Sequence, residues 1–195
     1  MDFLKSETKV NLMRAFAGEC QARNRYNISA EKAYKDEFYQ VAKIFNLTAS
    51  QEQAHATVFY NHLKEANDSH IEITASYPVN IYQTTLDYLK AGVENEEAEY
   101  KEIYQNFGNI AKEEGFIAIA QSFFSIAEIE NTHAKRFRTF MELFEQDGLY
   151  KSADYALWVC TNCGHLHQGA QAPVVCPVCS HKQGHFIEKS KIDVF

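Results

Sequence analysis

Proline and glycine are scarce in this chain, whose 195 residues include three prolines and eight glycines. Because both residues interrupt helices, their scarcity favours long helices over most of the sequence. No apolar run approaches the roughly 20 residues that cross a bilayer. The first residues, MDFLKSETKV, lack the apolar centre of a signal peptide. We therefore expect no membrane partner.

The sequence also lacks a cluster of basic residues. Its formal net charge is −7, whereas proteins that bind nucleic acids or anionic membranes usually carry a basic surface. With 46% hydrophobic and 23% charged residues, the composition is typical of a folded globular protein. The expectation is a soluble, cytoplasmic protein with no nucleic-acid partner.

Cysteine is nearly absent from the first 159 residues, where Cys20 stands alone and is expected to be a packed thiol. The other four cysteines form two Cys-x-x-Cys pairs, Cys160 with Cys163 and Cys176 with Cys179. Paired turns of this kind present four thiolates to zinc or to a single iron. The spacing alone fits either metal.

Composition changes where the cysteine pairs begin. The stretch EQDGLYKSADYALW ends the helical pattern, with Gly148 placed to cap the last helix. Turn-forming glycines and prolines follow it. The sequence therefore predicts a helical domain over residues 1–147, a linker over 148–155 and a small metal-binding module over 156–195.

Four segments of the helical domain each have one apolar face, with residues recurring at alternating steps of four and three. The predicted faces are Leu12, Phe16, Glu19, Arg23, Tyr26 and Ala30; Val41, Phe45, Thr48, Glu52, His55 and Phe59; Leu86, Leu89, Val93, Glu96, Tyr100, Ile103 and Phe107; and Ile119, Phe123, Ile126, Glu130, His133, Phe137, Phe140 and Phe144. A glutamate interrupts each face near its middle. In two faces a histidine follows three residues later.

Capping residues mark several predicted helix ends. Ser6 or Thr8 suits the start of the first helix, and Asp36 suits the start of the second. A short turn joins these two helices, which are therefore expected to be antiparallel. The connection NDSHIEITASYPVN is long enough to cross the bundle, and Pro78 is expected near the start of the third helix.

The interrupting residues form an internal repeat in which a glutamate precedes a Glu-x-x-His pair by 33 residues in one half and 34 in the other. The members are Glu19, Glu52 and His55, then Glu96, Glu130 and His133. Buried carboxylates cost several kcal/mol unless paired, and Arg23 is the one inward cation that these faces offer. Two metal cations between the helices meet the demand, and mixed carboxylate and imidazole ligation suits iron or manganese. Ferritin-like carboxylate bundles use this ligand pattern.

Two further glutamates lie close to these positions. Glu128 is about 200° from Glu130 around the helix and is expected to face solvent. Glu99 is about 60° from Glu96 and borders the core. Its position leaves a metal-ligand role and a solvated role equally open.

Several stretches of this sequence resemble the rubrerythrins, and the resemblance covers nearly the whole chain. They are AFAGECQARNRY, EQAH, GVENEEAEYKEIY, EIENTHA, CTNCG and CPVC. The resemblance implies a mainly α fold, a ferritin-like four-helix bundle with a long crossover, followed by a small rubredoxin-like β/turn metal module. It implies two non-haem irons in the bundle, one iron on the four cysteines, and a peroxidase that reduces hydrogen peroxide to water in oxidative-stress defence.

The resemblance also assigns roles to individual residues. Glu52 and Glu130 would bridge the two irons, and Glu19 would be a terminal ligand of the first. Glu96 and His133 would hold the second iron. Glu99 would bind the first iron in its oxidised state, and His55 would replace it on reduction. Tyr26 and Tyr100 lie on the predicted faces where their hydroxyls would support ligand carboxylates.

Ser180 departs from the family pattern, because it follows Cys179 where rubredoxin-type turns usually have glycine. The module's histidines, His165, His167, His181 and His185, are expected to be exposed. The expected partners are hydrogen peroxide, an external donor such as rubredoxin or an NAD(P)H-dependent flavoprotein reductase, and a second copy of the chain. In such a homodimer one module would approach the partner's bundle, with helix exchange as one form of it. Two alternatives remain: an oxygen-using ferroxidase related to ferritin, and a zinc-ribbon interaction module on a structural metal bundle.

Overall fold

The computed structural model describes residues 1–194, and from residue 192 onward only the backbone. Its helical part is a four-helix bundle whose third member is interrupted by a π-helical turn. The elements are α1 (Glu7–Lys35), α2 (Tyr39–His62), α3 (Thr85–Ala98), the π turn (Glu99–Ile103), α4 (Tyr104–Glu113) and α5 (Ile117–Glu145). Short 3₁₀ turns cover Phe3–Lys5, Lys64–Ala66, Gln183–His185 and Lys189–Val194. Within the described chain, no helix is both long and apolar enough to cross a membrane.

The apolar faces of the bundle form two clusters rather than one. One cluster, at the end near the α1–α2 turn, includes Tyr26, Phe45 and Phe137. The other includes Leu12 and Phe123, on the opposite side of the mid-helix glutamates. The polar residues in the middle of the helices therefore lie between two apolar layers, which keep bulk water away from them.

Several helix ends differ from the sequence expectation. Ser6 caps α1 as predicted, with its hydroxyl accepting from the Lys9 amide. Asp36 does not cap α2, because the N-cap position is Phe38, and the Asp36 carboxylate instead accepts from Lys32 and Thr85.

The crossover and the end of α5 also differ from the expectation. Pro78 lies in the crossover rather than at a helix start, and α3 begins at Thr85 with Thr84 as its cap. At the end of α5 the left-handed residue is Asp147, at φ 52°. Gly148 follows it and donates its amide to the Leu143 carbonyl at 2.8 Å.

The π turn moves the inward face of the third bundle helix. A π turn inserts one residue and so rotates everything after it by about 100°. The sequence pattern placed Tyr100 and Ile103 on the core face; the structure buries Glu99 and Tyr104 instead and leaves Ile103 39% exposed. Beyond Glu96 the predicted face is therefore wrong at Ile103, whereas Tyr100 and Phe107 are partly buried against the second apolar cluster.

The C-terminal module is a three-stranded antiparallel sheet in the order β2-β1-β3. Its strands are β1 (Lys151–Cys160), β2 (Leu166–Gln171) and β3 (Phe186–Glu188). Strand β1 begins inside the predicted linker, 148–155, so the last five of its eight residues are strand. The domain boundaries at 147 and 156 stay a prediction. Trp158 fills the module's small core, together with Phe186 and two of the cysteines.

The module packs against the turn between α1 and α2. His185 stacks on Tyr39 with ring centroids 4.3 Å apart, and the Gln40 amide donates to the His185 carbonyl at 2.8 Å. Gly184 lies directly against the backbone, since a Cβ there would be 1.9 Å from the Glu37 carbonyl oxygen. A residue larger than glycine cannot fit at position 184 without moving the module.

Candidate metal centre

Four glutamates, one from each bundle helix, meet between the two apolar layers. They are Glu19, Glu52, Glu96 and Glu130, each with no exposed surface. The i, i+3 spacing on α2 and α5 adds His55 and His133 to the same level. The repeat read from the sequence is thus assembled in space.

The first group of donor atoms surrounds His55. Its Nδ1 lies 2.9 Å from Glu130 Oε1, 3.4 Å from Glu52 Oε2 and 3.8 Å from Glu19 Oε2. The second group surrounds His133, whose Nδ1 lies 2.7 Å from Glu130 Oε2 and 3.1 Å from Glu52 Oε1. Glu96 Oε2 completes it at 3.3 Å. Glu52 and Glu130 therefore each contribute one oxygen to each group.

The arrangement of these donor atoms suits metal coordination better than hydrogen bonding between the side chains. Within each group the ligand atoms lie within 4.8 Å of one another. Among the residues that the structure describes, both oxygens of Glu52 and Glu130 and both Nδ1 atoms lack a hydrogen-bond partner of acceptable geometry. Buried polar atoms are rarely left unpaired, because each lost hydrogen bond costs free energy. Two cations, each bound by one oxygen of Glu52 and one of Glu130, would satisfy all of these atoms at once.

Burial and the mutual charges of the ligands shift the pKa values of the centre. Burial, with the charge of Glu52, raises the pKa of Glu96 to about 8. Burial alone would lower the pKa of His133, but the Glu96 charge and the carboxylates around it outweigh burial and raise it to about 12. The pKa of His55 rises to about 9 against burial for the same kind of reason, through Glu130 and Glu52. Since metal ligands must be deprotonated, metal binding at this centre releases protons.

The four cysteines of the module also converge. Cys160 Sγ lies 3.7 Å from Cys179 Sγ, and Cys163 Sγ lies 3.7 Å from Cys176 Sγ. All four sulfurs lie within 4.8 Å of one another, which fits one tetrahedral metal ion. The chain therefore combines a two-metal carboxylate centre with a four-thiolate centre.

Comparison with known proteins decides the family. The rubrerythrin family model matches residues 10–141, and the model of the rubrerythrin rubredoxin-like domain matches residues 158–187. The rubrerythrin of Clostridium perfringens is 41% identical over 182 residues, and that of Nitratidesulfovibrio vulgaris is 42% identical over 181; each alignment covers 93% of both chains. The chain belongs to the rubrerythrin family. The resemblance inferred from the sequence motifs is confirmed.

Solved structures support the same fold for this rubrerythrin. Mixed-valence nigerythrin superposes with a TM-score of 0.64 at 25% identity, covering 93% of this chain and 86% of that one. Desulfovibrio desulfuricans bacterioferritin gives a TM-score of 0.66 over 73% of this chain and 82% of that one; at 23% identity this is a likeness of fold. The ferritin-like bundle with a rubredoxin-like module is confirmed. The rubrerythrin carries a di-iron site with glutamate and histidine ligands and a rubredoxin-like four-cysteine site.

Two tyrosines support the carboxylates of this rubrerythrin. The Tyr26 hydroxyl donates to Glu96 Oε1, as the sequence pattern anticipated. The hydroxyl on Glu19 Oε1, however, belongs to Tyr104 and not to Tyr100, which is half-buried against the apolar cluster around Phe123. Burial, with the neighbouring carboxylates, raises the pKa of both donors well above the usual tyrosine value, so both stay protonated. The π turn is the reason that the sequence pattern selected the wrong tyrosine.

Replacing Tyr104 with phenylalanine is expected to weaken metal binding at the first group. The variant keeps the ring packing but leaves Glu19 Oε1 without its donor, and loss of such a supporting partner typically costs about 10–100-fold in metal affinity. Iron content during titration with a competing chelator measures the loss. Tyr100→Phe is the matched control and should bind iron like the wild type. Equal effects of the two substitutions would contradict the assignment.

Among the residues that the structure describes, Arg136 rather than Arg23 is the buried arginine of the bundle. Arg23 lies on the exposed side of α1, so the sequence expectation is wrong there. Arg136 is 8% exposed, and it donates to the Thr48 hydroxyl and the Gln51 side chain at 2.8 Å each. Arg136 is next to Phe137, which belongs to the predicted face of α5. Its long side chain extends from the edge of that face into the bundle. A face drawn at steps of three and four misses such a residue.

Glu128 and Glu99, the two other glutamates near the centre, differ in their burial. Glu128 is exposed, as predicted. Glu99 is buried at 8% exposure but contributes to neither donor group. Burial, with the charge of Glu96, raises its pKa well above the ordinary value.

The two cysteine turns form the same backbone hydrogen bond but differ in the residue that follows the second cysteine. Gly164 donates its amide to the Cys160 carbonyl at φ 79°, and Ser180 donates to the Cys176 carbonyl at φ 58°. Serine therefore adopts the left-handed conformation that glycine adopts in the first turn. Of the histidines, His181 is exposed as predicted, whereas His165, His167 and His185 are half-buried.

Replacing Ser180 with glycine is expected to stabilise the module. The left-handed region costs a residue with a Cβ about 1–2 kcal/mol. Glycine avoids this cost, but it loses more conformational entropy on folding, which cancels part of the gain. The net change in the free energy of unfolding should be about 1 kcal/mol or less in favour of the variant. Denaturant titration followed at the four-cysteine chromophore measures it. A destabilised variant would show that Ser180 contributes contacts that outweigh its strain.

Proposed function

We propose that this rubrerythrin is a peroxidase that reduces hydrogen peroxide to water in defence against oxidative stress. One observation carries the proposal: a two-metal carboxylate centre and a four-thiolate centre occur in one chain. A rubredoxin-like module suits electron transfer, and a peroxidase needs electrons delivered after each turnover. An oxygen-using ferroxidase takes its electrons from the ferrous iron that it oxidises. It would therefore not need an electron-transfer module.

The proposed ligand roles follow the two donor groups. Glu52 and Glu130 would bridge the metals, because each has one oxygen in each group. Glu19 would be a terminal ligand of the first metal, and Glu96 with His133 would complete the second. Glu99 would bind the first metal when it is oxidised, and His55 would replace it on reduction. His55 lies in the first group and Glu99 lies outside both groups. A first group with His55 and without Glu99 is the ligand set that the family resemblance implies for reduced iron.

The chain's own residues prepare the reaction. Iron at the carboxylate centre would supply two electrons to cleave the O–O bond, and iron on the cysteines would relay their replacements. Tyr26 and Tyr104 orient Glu96 and Glu19 through their hydroxyl protons. The two apolar clusters exclude bulk water on either side, which strengthens the electrostatic interactions between ligands and metal.

The remaining roles extend this proposal. An external rubredoxin or NAD(P)H-dependent flavoprotein reductase donates the electrons, and the protein works in the cytoplasm as a homodimer. In that dimer one subunit's module serves the partner's bundle. The module's place against its own α1–α2 turn leaves Cys163 exposed for such a contact.

Two measurements test the function. Stopped-flow oxidation of the fully reduced protein should be faster with hydrogen peroxide than with oxygen at equal concentration. A faster reaction with oxygen would favour the ferroxidase instead. Metal analysis of the protein from its native host, with a visible spectrum, should find iron on the four cysteines. Zinc there would remove the electron path and favour the interaction module.

A further inference from the structure

A cavity of about 740 Å³ lies between helix α1, the crossover and the π turn. Glu99 and Tyr104 form part of its wall. The Tyr104 hydroxyl donates to Glu19 Oε1, and Glu19 Oε2 belongs to the first donor group. The hydrogen-bonded side chains of Tyr104 and Glu19 therefore connect this cavity to the first donor group.

The cavity is much larger than hydrogen peroxide requires. A water molecule takes about 30 Å³ of liquid volume, and hydrogen peroxide has only one more heavy atom. Sites for small organic molecules have volumes of about 300–1,000 Å³. The observed 740 Å³ falls within that range. The space therefore suits a molecule with an organic group.

The walls favour an uncharged, apolar occupant. Small or apolar residues line much of it, among them Ala15, Gly18, Pro78, Ala98 and Phe107. Two arginines also lie on the walls, but Arg14 and Arg25 already donate to oxygens of the chain. The exposed carboxylate of Glu102 on the same walls disfavours an anion.

We propose that the cavity admits organic hydroperoxides, so that the protein reduces alkyl or aryl hydroperoxides as well as hydrogen peroxide. The inference rests on the proposed peroxidase function and names a second substrate class for the same centre. The reaction is ROOH + 2 H⁺ + 2 e⁻ → ROH + H₂O, in which the O–O bond breaks and both of its oxygens are reduced. The ferrous pair of the proposed function supplies both electrons. The organic group occupies the cavity, with the peroxide oxygens directed towards Glu99 and Tyr104.

Two small residues on different helices keep the cavity open. A Cβ at Gly18 would make an ordinary contact with the Tyr77 ring at 3.6 Å, so the backbone tolerates a side chain there. The rest of a leucine at position 18 would extend into the cavity. Ala98 lines it from α3, immediately before the π turn. Neither residue belongs to a donor group.

The kinetic test compares two peroxides on the reduced, iron-loaded protein. Wild type should be oxidised by both hydrogen peroxide and cumene hydroperoxide in stopped-flow experiments. Gly18→Leu and Ala98→Leu should each slow the reaction with cumene hydroperoxide by about tenfold or more, the scale on which a hydrophobic pocket discriminates. Their rates with hydrogen peroxide should change much less. Ala118→Leu adds the same bulk at an exposed position of α5 and should match wild type.

A second readout is independent of turnover. The redox-inert product 2-phenyl-2-propanol should bind the oxidised iron-loaded wild type in calorimetry, and Gly18→Leu should reduce that binding by about tenfold or more. Rapid oxidation by hydrogen peroxide without oxidation by cumene hydroperoxide would overturn the second substrate class alone. Failure with hydrogen peroxide would overturn the proposed function. Wild-type behaviour of both cavity variants would show that the cavity is not the route.

Discussion

Replacing Glu130 with alanine will abolish iron binding at both positions of the carboxylate centre. Glu130 Oε1 lies 2.9 Å from His55 Nδ1, and its Oε2 lies 2.7 Å from His133 Nδ1. The substitution therefore takes one donor from each group at once. Loss of a supporting hydrogen bond alone costs about 10–100-fold in metal affinity, and loss of a shared ligand should cost considerably more.

Glu128→Ala is the matched control for this prediction. It changes the same residue type on the same helix, but Glu128 is exposed. Iron per chain, measured after loading and desalting, should stay at the wild-type value for Glu128→Ala and fall to the content of the four-cysteine site for Glu130→Ala. Circular dichroism should show helical content close to wild type in both variants. A Glu130→Ala protein that keeps both carboxylate-bound irons would refute the bridging role.

The sequence predicts the centre well because burial and spacing constrain it together. A buried carboxylate is tolerated only with a partner, so a glutamate in an apolar face is informative at each of its four occurrences. The helical repeat then fixes which neighbour points the same way, as with Glu130 and His133 against Glu128. Four such faces, two of them with a histidine, leave few arrangements other than a shared metal site.

The sequence pattern misassigns the tyrosine and the buried arginine for two different physical reasons. A regular helix across Glu99–Ile103 predicts an inward Tyr100, whereas the structure has a π turn there and directs the Tyr104 hydroxyl inward. The π turn places the Tyr104 hydroxyl on Glu19, and the helical periodicity used to draw the face does not include such an inserted residue. Arg136 was missed because its position depends on side-chain length rather than on the angle of its Cα.

Asp36 illustrates a different limit. Its residue type suits an N-cap, and it lies within three residues of the helix that it was expected to begin. The structure gives its carboxylate to Lys32 and to the hydroxyl of Thr85. A tertiary partner therefore outcompeted the local capping bond, and a single sequence cannot rank the two.

Replacing Cys176 with alanine should uncouple the two centres of the chain. Cys176 is 1% exposed and lies in the module's small core beside Trp158. With three thiolates the four-cysteine site no longer holds iron tightly, and its visible absorbance should be lost. The carboxylate centre lies in the bundle, so its two irons should remain.

The Cys176→Ala substitution should therefore stop continuous turnover without slowing a single turnover. Chemically reduced Cys176→Ala should still be oxidised once by hydrogen peroxide at close to the wild-type rate. Steady-state peroxide reduction driven by an NADH-dependent electron donor should fall to the background, because the proposed relay is missing. Cys20→Ser changes the half-buried cysteine of the bundle and should leave both rates unchanged. Continuous turnover at the wild-type rate in Cys176→Ala would mean that electrons reach the carboxylate centre by another path, and the module would then need another function.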